Sequence, residues 1–205
     1  MPASSMVARS EATIAKILAA AHSLFVAKNY AEVTTAQIAR VAELTKGAIY
    51  HHFASKEELY LALLHTDLGR KRELFRRAVD SAGSCRERLG LLTEAFLDLP
   101  RDSRQIILLV RRDINVFRDP ARAELVRAYQ EALPEQVEAI LRDGIRDGEL
   151  APTDPRLLSW YYVALVEVTL SAYADTLFAD NQEKLNHVLD LFFGGSGAVR
   201  NGAKA

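Results

Sequence analysis

Apolar positions recur at helical spacing along almost the whole chain, and alternating β-branched runs bounded by hairpin turns are absent from the sequence. Ile14, Ile17, Leu18, Ala21, Leu24 and Phe25 form one apolar face, which predicts a helix from about Glu11 to Lys28 with Ser10 as N-cap and Asn29 as a left-handed stop. Three closely spaced helix starts follow. Thr34 with Gln37, and Ser55 with Glu58, have the spacing of capping boxes, and Thr45 between them caps a helix of about seven residues, Lys46 to His52, after a tight turn at Glu43-Leu44. Helices this short are not stable alone in water, so Ile38, Val41, Ala42, Leu44, Ile49 and Phe53 must share a small core with the first helix.

From Lys56 the helical pattern continues to about Ala82, and further apolar helical segments are predicted at about 86–98, 103–117, 120–147, 155–178 and 182–193. Pro134 implies a kink or a break inside the 120–147 segment. The fold class expected is all-α: a three-helix helix-turn-helix head over residues 10–54, then a helical body over 55–193. Residues 1–9 are expected to be a flexible N-terminus and 194–205, rich in Gly, Ala and Ser, a disordered tail.

The chain has 205 residues and 49% hydrophobic content, enough for a packed core. No apolar run reaches membrane-spanning length, since Glu167 interrupts Leu157 to Tyr173, and Met1 to Ser10 lacks the apolar core of a signal peptide. A cytoplasmic protein without membrane partners is therefore expected. One cysteine, Cys85, permits neither an internal disulfide nor a thiolate metal site, and the sequence implies no metal and no cofactor. The net charge is −1, yet the segment through Lys56 carries six Lys and Arg against three Glu, an excess of +3 on the head and −4 on the remainder. A basic head on an acidic body fits a phosphate-binding module carried by a regulatory domain.

The runs Val33-Thr34-Thr35-Ala36-Gln37-Ile38-Ala39, Thr45-Lys46-Gly47-Ala48-Ile49-Tyr50-His51-His52-Phe53 and Ser55-Lys56-Glu57-Glu58-Leu59 closely resemble the signature of the TetR family of transcriptional regulators. The resemblance covers about 45 residues with the first helix included. It implies a one-component regulator, most often a repressor, that binds a palindromic operator as a homodimer and is released by a small-molecule effector. A recognition helix brings its N-terminal turn to the duplex, where free backbone N–H groups attract phosphate and the first side chains reach base edges. Thr45, Lys46, Gly47 and Ala48 occupy that turn, with Tyr50 and His51 on the next, and Thr35 and Lys56 are further candidates for phosphate contact. Gly47 costs roughly 1 kcal/mol of helix propensity, which close approach to DNA explains. Asn29 and Glu43 stand where the family more often has glycine, and Glu at positive φ costs roughly 1–2 kcal/mol.

In the body, the segment after Asp154-Pro155 is apolar all round, and the last one, with Leu185, Val188, Leu189, Leu191, Phe192 and Phe193, has the same apolar surplus. Both have more apolar surface than one core can cover, and the resemblance implies that they pack on their copies as a four-helix bundle. Ligand candidates are polar groups in apolar surroundings, Arg111, Arg112 and Glu167, and the aromatics Phe96, Phe117, Trp160, Tyr162 and Tyr173. For the arginines the alternative is an ion pair with Asp113 or a solvated face; for Glu167, the dimer seam; for the aromatics, plain core. An apolar or amphipathic ligand fits such a body, for example a fatty-acyl or aromatic-acid metabolite. No nucleophile elbow, phosphate loop, HExxH or paired-carboxylate pattern is present, so no catalytic residues are assigned and an enzyme is not expected. The competing reading is a helical ligand-binding or interaction protein without specific DNA binding.

Overall fold

A computed structural model of the chain describes residues 3–195, and over these it is helical without strands. Eleven α-helices run α1 (Ala3–Ala27), α2 (Thr35–Val41), α3 (Lys46–His52), α4 (Lys56–Val79), α5 (Cys85–Leu97), α6 (Arg101–Asp113), α7 (Ala121–Ala132), α8 (Pro134–Arg146), α9 (Pro155–Val168), α10 (Ala174–Leu177) and α11 (Asn181–Gly194). Single 3₁₀ turns at Tyr30–Glu32 and Ile114–Val116 follow α1 and α6.

The chain forms two compact units. The first comprises Met1–Arg70 and Pro100–Tyr129; the second comprises Lys71–Leu99 and Gln130–Ala205. In the first, Ile17, Ala21 and Phe25 of α1 are fully buried, as are Ile38 of α2, Leu59, Tyr60 and Leu64 of α4, and Ile106, Ile107 and Val110 of α6. In the second, buried Leu89, Leu92 and Phe96 of α5 meet a core to which α8 gives Val137, Ile140 and Leu141, α9 gives Tyr162 and Val163, and α11 gives Val188 and Leu189. Helix α4 contributes its first part to one unit and its last turns to the other.

Several boundaries differ from the sequence reading, each for a local reason. Helix α1 begins at Ala3, so Ser10 lies inside the helix, not at its cap. Asn29 is not a left-handed stop: its backbone is extended at φ −67° and ψ 155°, and its N–H donates to the Glu32 carboxylate at 3.0 Å, opening the first 3₁₀ turn. Pro134 breaks the segment expected at 120–147, because it occupies the first helical position of α8, where its missing N–H costs nothing. The segment expected at 155–178 stops at Val168. There the Thr169 hydroxyl donates to the Val166 carbonyl at 2.6 Å and the Ser171 hydroxyl accepts from the Ala174 N–H at 3.1 Å, so side chains compete with the helix for backbone partners. The helix expected at 103–117 ends at Asp113. Beyond Gly195, the tail expected to be disordered lies outside the described residues.

Candidate nucleic-acid interface

The helix-turn-helix is built from local signals. The Thr34 hydroxyl accepts from the Gln37 N–H at 3.2 Å while the Gln37 side chain accepts from the Thr34 N–H at 2.8 Å, a reciprocal capping box that starts α2. Buried Ile38 and Ala39 hold α2 in the core. The turn is made by Glu43 at φ 56°, the one non-glycine residue with positive φ among those described, and closed by the Leu44 N–H on the Ala39 carbonyl at 2.9 Å. Thr45 then caps α3 through the Ala48 N–H at 3.1 Å.

Helix α3 buries Ile49, with Phe53 beyond it, and leaves Thr45, Lys46, Gly47, Tyr50 and His51 exposed, with Ala48 half-buried between them. The exposed residues form a continuous face over the first two turns. Lys46 Nζ sits 5.6 Å from the centre of the Tyr50 ring, and the Tyr50 hydroxyl lies 3.3 Å from that of Thr35, itself buried. Thr35 thus steadies Tyr50 across the motif. At Gly47 an added Cβ would meet nothing nearer than Thr45 Oγ1 at 3.8 Å, so the chain's own packing does not require glycine there.

Lys56, expected to reach phosphate, is turned inward. Its Nζ donates to the carbonyls of Tyr30 at 2.9 Å and Val33 at 3.0 Å and lies 4.2 Å from the centre of the Tyr30 ring. Tyr30 in turn belongs to a cluster with Phe25, Tyr60 and Phe117 at centroid separations of 4.4–6.0 Å. Beside it the Tyr60 hydroxyl donates to buried Asp113 at 2.6 Å; burial, then the Asp113 carboxylate, pushes the phenol well above its ordinary range. Arg112 pairs with Asp113 at 2.7 Å and also donates to the carbonyls of Phe25 and Lys28 at 3.4 Å, closing the C-terminus of α1. Apart from the adjacent Arg112–Asp113 pair, these clamps left no sequence signal, because their partners lie 23 to 87 residues away.

The ligand candidates are distributed over both compact units. Arg112 forms the ion pair that was its alternative reading, and Arg111 is exposed on α6. Phe117 belongs to the aromatic cluster of the first unit. In the second unit Phe96 packs edge-on against Phe75, and Tyr162 meets Phe192 while its hydroxyl engages Thr93 at 2.6 Å and the Leu89 carbonyl at 3.2 Å. All three aromatics are core side chains. Trp160 and Tyr173 are exposed, and Glu167 is half-buried on α9. No described helix is long and apolar enough to cross a membrane.

Two family models match the chain: "Bacterial regulatory proteins, tetR family" over residues 17–63, and "Tetracyclin repressor-like, C-terminal domain" over 82–171. Among curated proteins, the chain is 30% identical over 151 residues to the HTH-type transcriptional activator FasR of Mycolicibacterium smegmatis, covering 73% of this chain and 67% of that protein. It is 28% identical over 173 residues to the HTH-type transcriptional regulator RutR of Escherichia coli, covering 82% and 77%. Among solved structures, the transcriptional regulator FadR from Bacillus subtilis in complex with stearoyl-CoA superposes with a TM-score of 0.75 at 20% identity, over 89% of this chain and 98% of that one. AibR in complex with isovaleryl coenzyme A and operator DNA gives 0.76 at 18% identity, over 88% and 98%.

Proposed function

The chain belongs to the TetR family of bacterial transcriptional regulators, and from that premise we propose that it is a cytoplasmic repressor that binds a palindromic operator as a homodimer and leaves it when a small apolar or amphipathic molecule is bound. The observation that carries the DNA-binding half is the face of α3: Thr45, Lys46, Gly47, Ala48, Tyr50 and His51 lie together on a capped helix whose other side is locked into the core. Lys46 and the N-terminal N–H groups take phosphate; Gly47 lets the backbone approach; Tyr50, steadied by Thr35, and His51 complete the contact. Lys56 supports this surface from behind.

The dimer is supported by surplus apolar surface. Leu157, Trp160, Tyr161 and Val168 of α9 are each more than half exposed, which a partner copy of the helix would cover. A twofold dimer reads half-sites about one helical turn, or a small multiple, apart. Operators upstream of the protein's own gene, tested by gel shift with wild type and Lys46→Ala, decide the reading. Sequence-specific retention by wild type is expected, and its absence at micromolar protein would leave the helical interaction protein as the better account.

For the effector, the structural neighbours FadR and AibR were solved with acyl-coenzyme A thioesters, and a body rich in Leu, Val and Phe suits the apolar part of such a molecule. Release requires that the ligand bind the DNA-free form better; about 100-fold loosening of DNA corresponds to roughly 2.7 kcal/mol of coupling, felt equally by the ligand. Helix α4, which begins at the head and ends in the second unit, is the element through which a change of tilt would travel.

A further inference from the structure

The first compact unit contains a cleft of about 460 Å³ between α1, α4 and the start of α6, within the size range of small-molecule sites. Its origin is legible in residue size. Helix α1 lines it with a stripe at helical spacing in which Ala15 and Ala19 are too small to fill the space against α4, leaving half-buried Leu18 as the apolar floor over the buried Leu63 and Ile106.

The polar groups on the rim divide into engaged and unengaged. The His22 ring lies against the Asp102 backbone carbonyl at 3.2 Å, and the Asp67 carboxylate accepts from the Ser103 hydroxyl at 3.4 Å. The Arg70 guanidinium on α4 and the Asp102 carboxylate on α6 have no hydrogen-bond or ion-pair partner among the described residues. One cation and one anion without a partner among the described residues, beside the engaged Asp67, therefore line the same partly apolar space.

We propose that this cleft is a second ligand site, distinct from any effector site in the second unit, and that its ligand is a zwitterion of the apolar amino acid class. A carboxylate meets Arg70, an ammonium meets Asp102, and an aliphatic or aromatic side chain covers the floor. Charge favours the class: a dianion is opposed by Asp67 and Asp102, a simple cation leaves Arg70 unanswered, and an uncharged molecule leaves both Arg70 and Asp102 unanswered. Because α1 and α4 also frame the DNA-reading head, occupancy is placed to alter operator affinity.

The test is isothermal titration of the full-length protein with L-phenylalanine and L-leucine, and with the two half-ligands 3-phenylpropionate and phenylethylamine. The expected result is one amino acid bound per chain, with each half-ligand weaker by about tenfold or more. Arg70→Gln and Asp102→Asn, both exposed positions, each weaken the amino acid by a similar factor, and Ala19→Leu, which fills the cleft, abolishes binding. Absence of binding by both amino acids at millimolar concentration overturns the proposal, as does binding that all three variants leave unchanged. Equal binding of 3-phenylpropionate overturns the zwitterion assignment, since it makes the ammonium irrelevant. These outcomes are read without DNA, so they stand apart from success or failure of the operator experiment.

Discussion

The ammonium of Lys56 sits 4.2 Å from the centre of the Tyr30 ring while donating to the Tyr30 backbone carbonyl, so one cation binds both the face and the main chain of the same residue. With its bond to the Val33 carbonyl, it fixes the start of α4 to the segment leading into α2. Lys56→Gln should cost about 1–3 kcal/mol of stability and weaken operator binding through a loosened head. Lys46→Ala should instead leave stability within about 0.5 kcal/mol and reduce the salt slope of binding by about one unit. Operator titrations at several salt concentrations separate the two: an unchanged slope for Lys56→Gln marks an internal clamp, and a slope lowered by one marks a phosphate contact.

Gly47→Ala separates folding from function. The nearest atom to an added Cβ is 3.8 Å away, so the isolated protein accommodates it and gains up to about 1 kcal/mol from helix propensity. Operator affinity falls if the backbone at 47 approaches DNA as proposed. Urea denaturation and anisotropy titration of one variant measure both, and unchanged affinity would move the contact elsewhere on α3.

Gly144 presents the opposite case. In the last turn of α8, a Cβ there would lie 2.7 Å from the Cys85 Cβ and 2.9 Å from its Sγ, against a neighbour with no flexible end to swing aside. Gly144→Ala is expected to destabilise the protein by about 1–3 kcal/mol despite its better helix propensity. Equilibrium unfolding tests this. The same close packing pushes the Cys85 thiol up to about 11, burial being the main cause and Glu149 the next, so native protein should react negligibly with a thiol reagent at pH 8 and fully once unfolded.

The pair Arg88–Asp143, at 2.9 Å, gives a pH dependence. Hydrogen bonding from Arg88 holds the Asp143 carboxyl below its ordinary range. A carboxyl with a lowered folded pKa stabilises above its unfolded value, near 4, and that contribution disappears as pH falls through the folded value. Asp143→Asn should therefore cost most at neutral pH, between the ~1 kcal/mol of a surface pair and the 3–5 kcal/mol of a buried one, and the difference from wild type should shrink below about pH 4. Denaturation midpoints at pH 7 and pH 3 measure it.

The head was legible because its signals are local. Thr34 with Gln37, and Thr45, lie within three residues of the N–H groups they cap, so sequence spacing is sufficient. At Ser55 the reading was half complete: its hydroxyl accepts from the Glu58 N–H, but the Glu58 carboxylate returns to Ala54, one residue earlier. The end of α9 was hidden because the apolar pattern continues past Val168, while the hydroxyls of Thr169 and Ser171 terminate the helix. Ligand residues were least legible. Periodicity cannot separate Phe96 and Tyr162, which fill the core, from Trp160, which does not, and it gives no hint that Arg112 reaches the carbonyls closing α1.

Glu43 carries two penalties that act in different states. Its backbone strain at φ 56° is present whether or not DNA is bound, so it cancels from operator affinity and shortens only the lifetime of the folded head. Its exposed carboxylate, two residues ahead of the cap of α3, does not cancel: with α3 on DNA as proposed, it would repel phosphate only in the complex and so shorten residence on DNA. Glycine at this position would lengthen both times and glutamine only the second. A single turn residue thus sets two independent clocks, one for how long the reading head persists and one for how quickly a bound operator is given up.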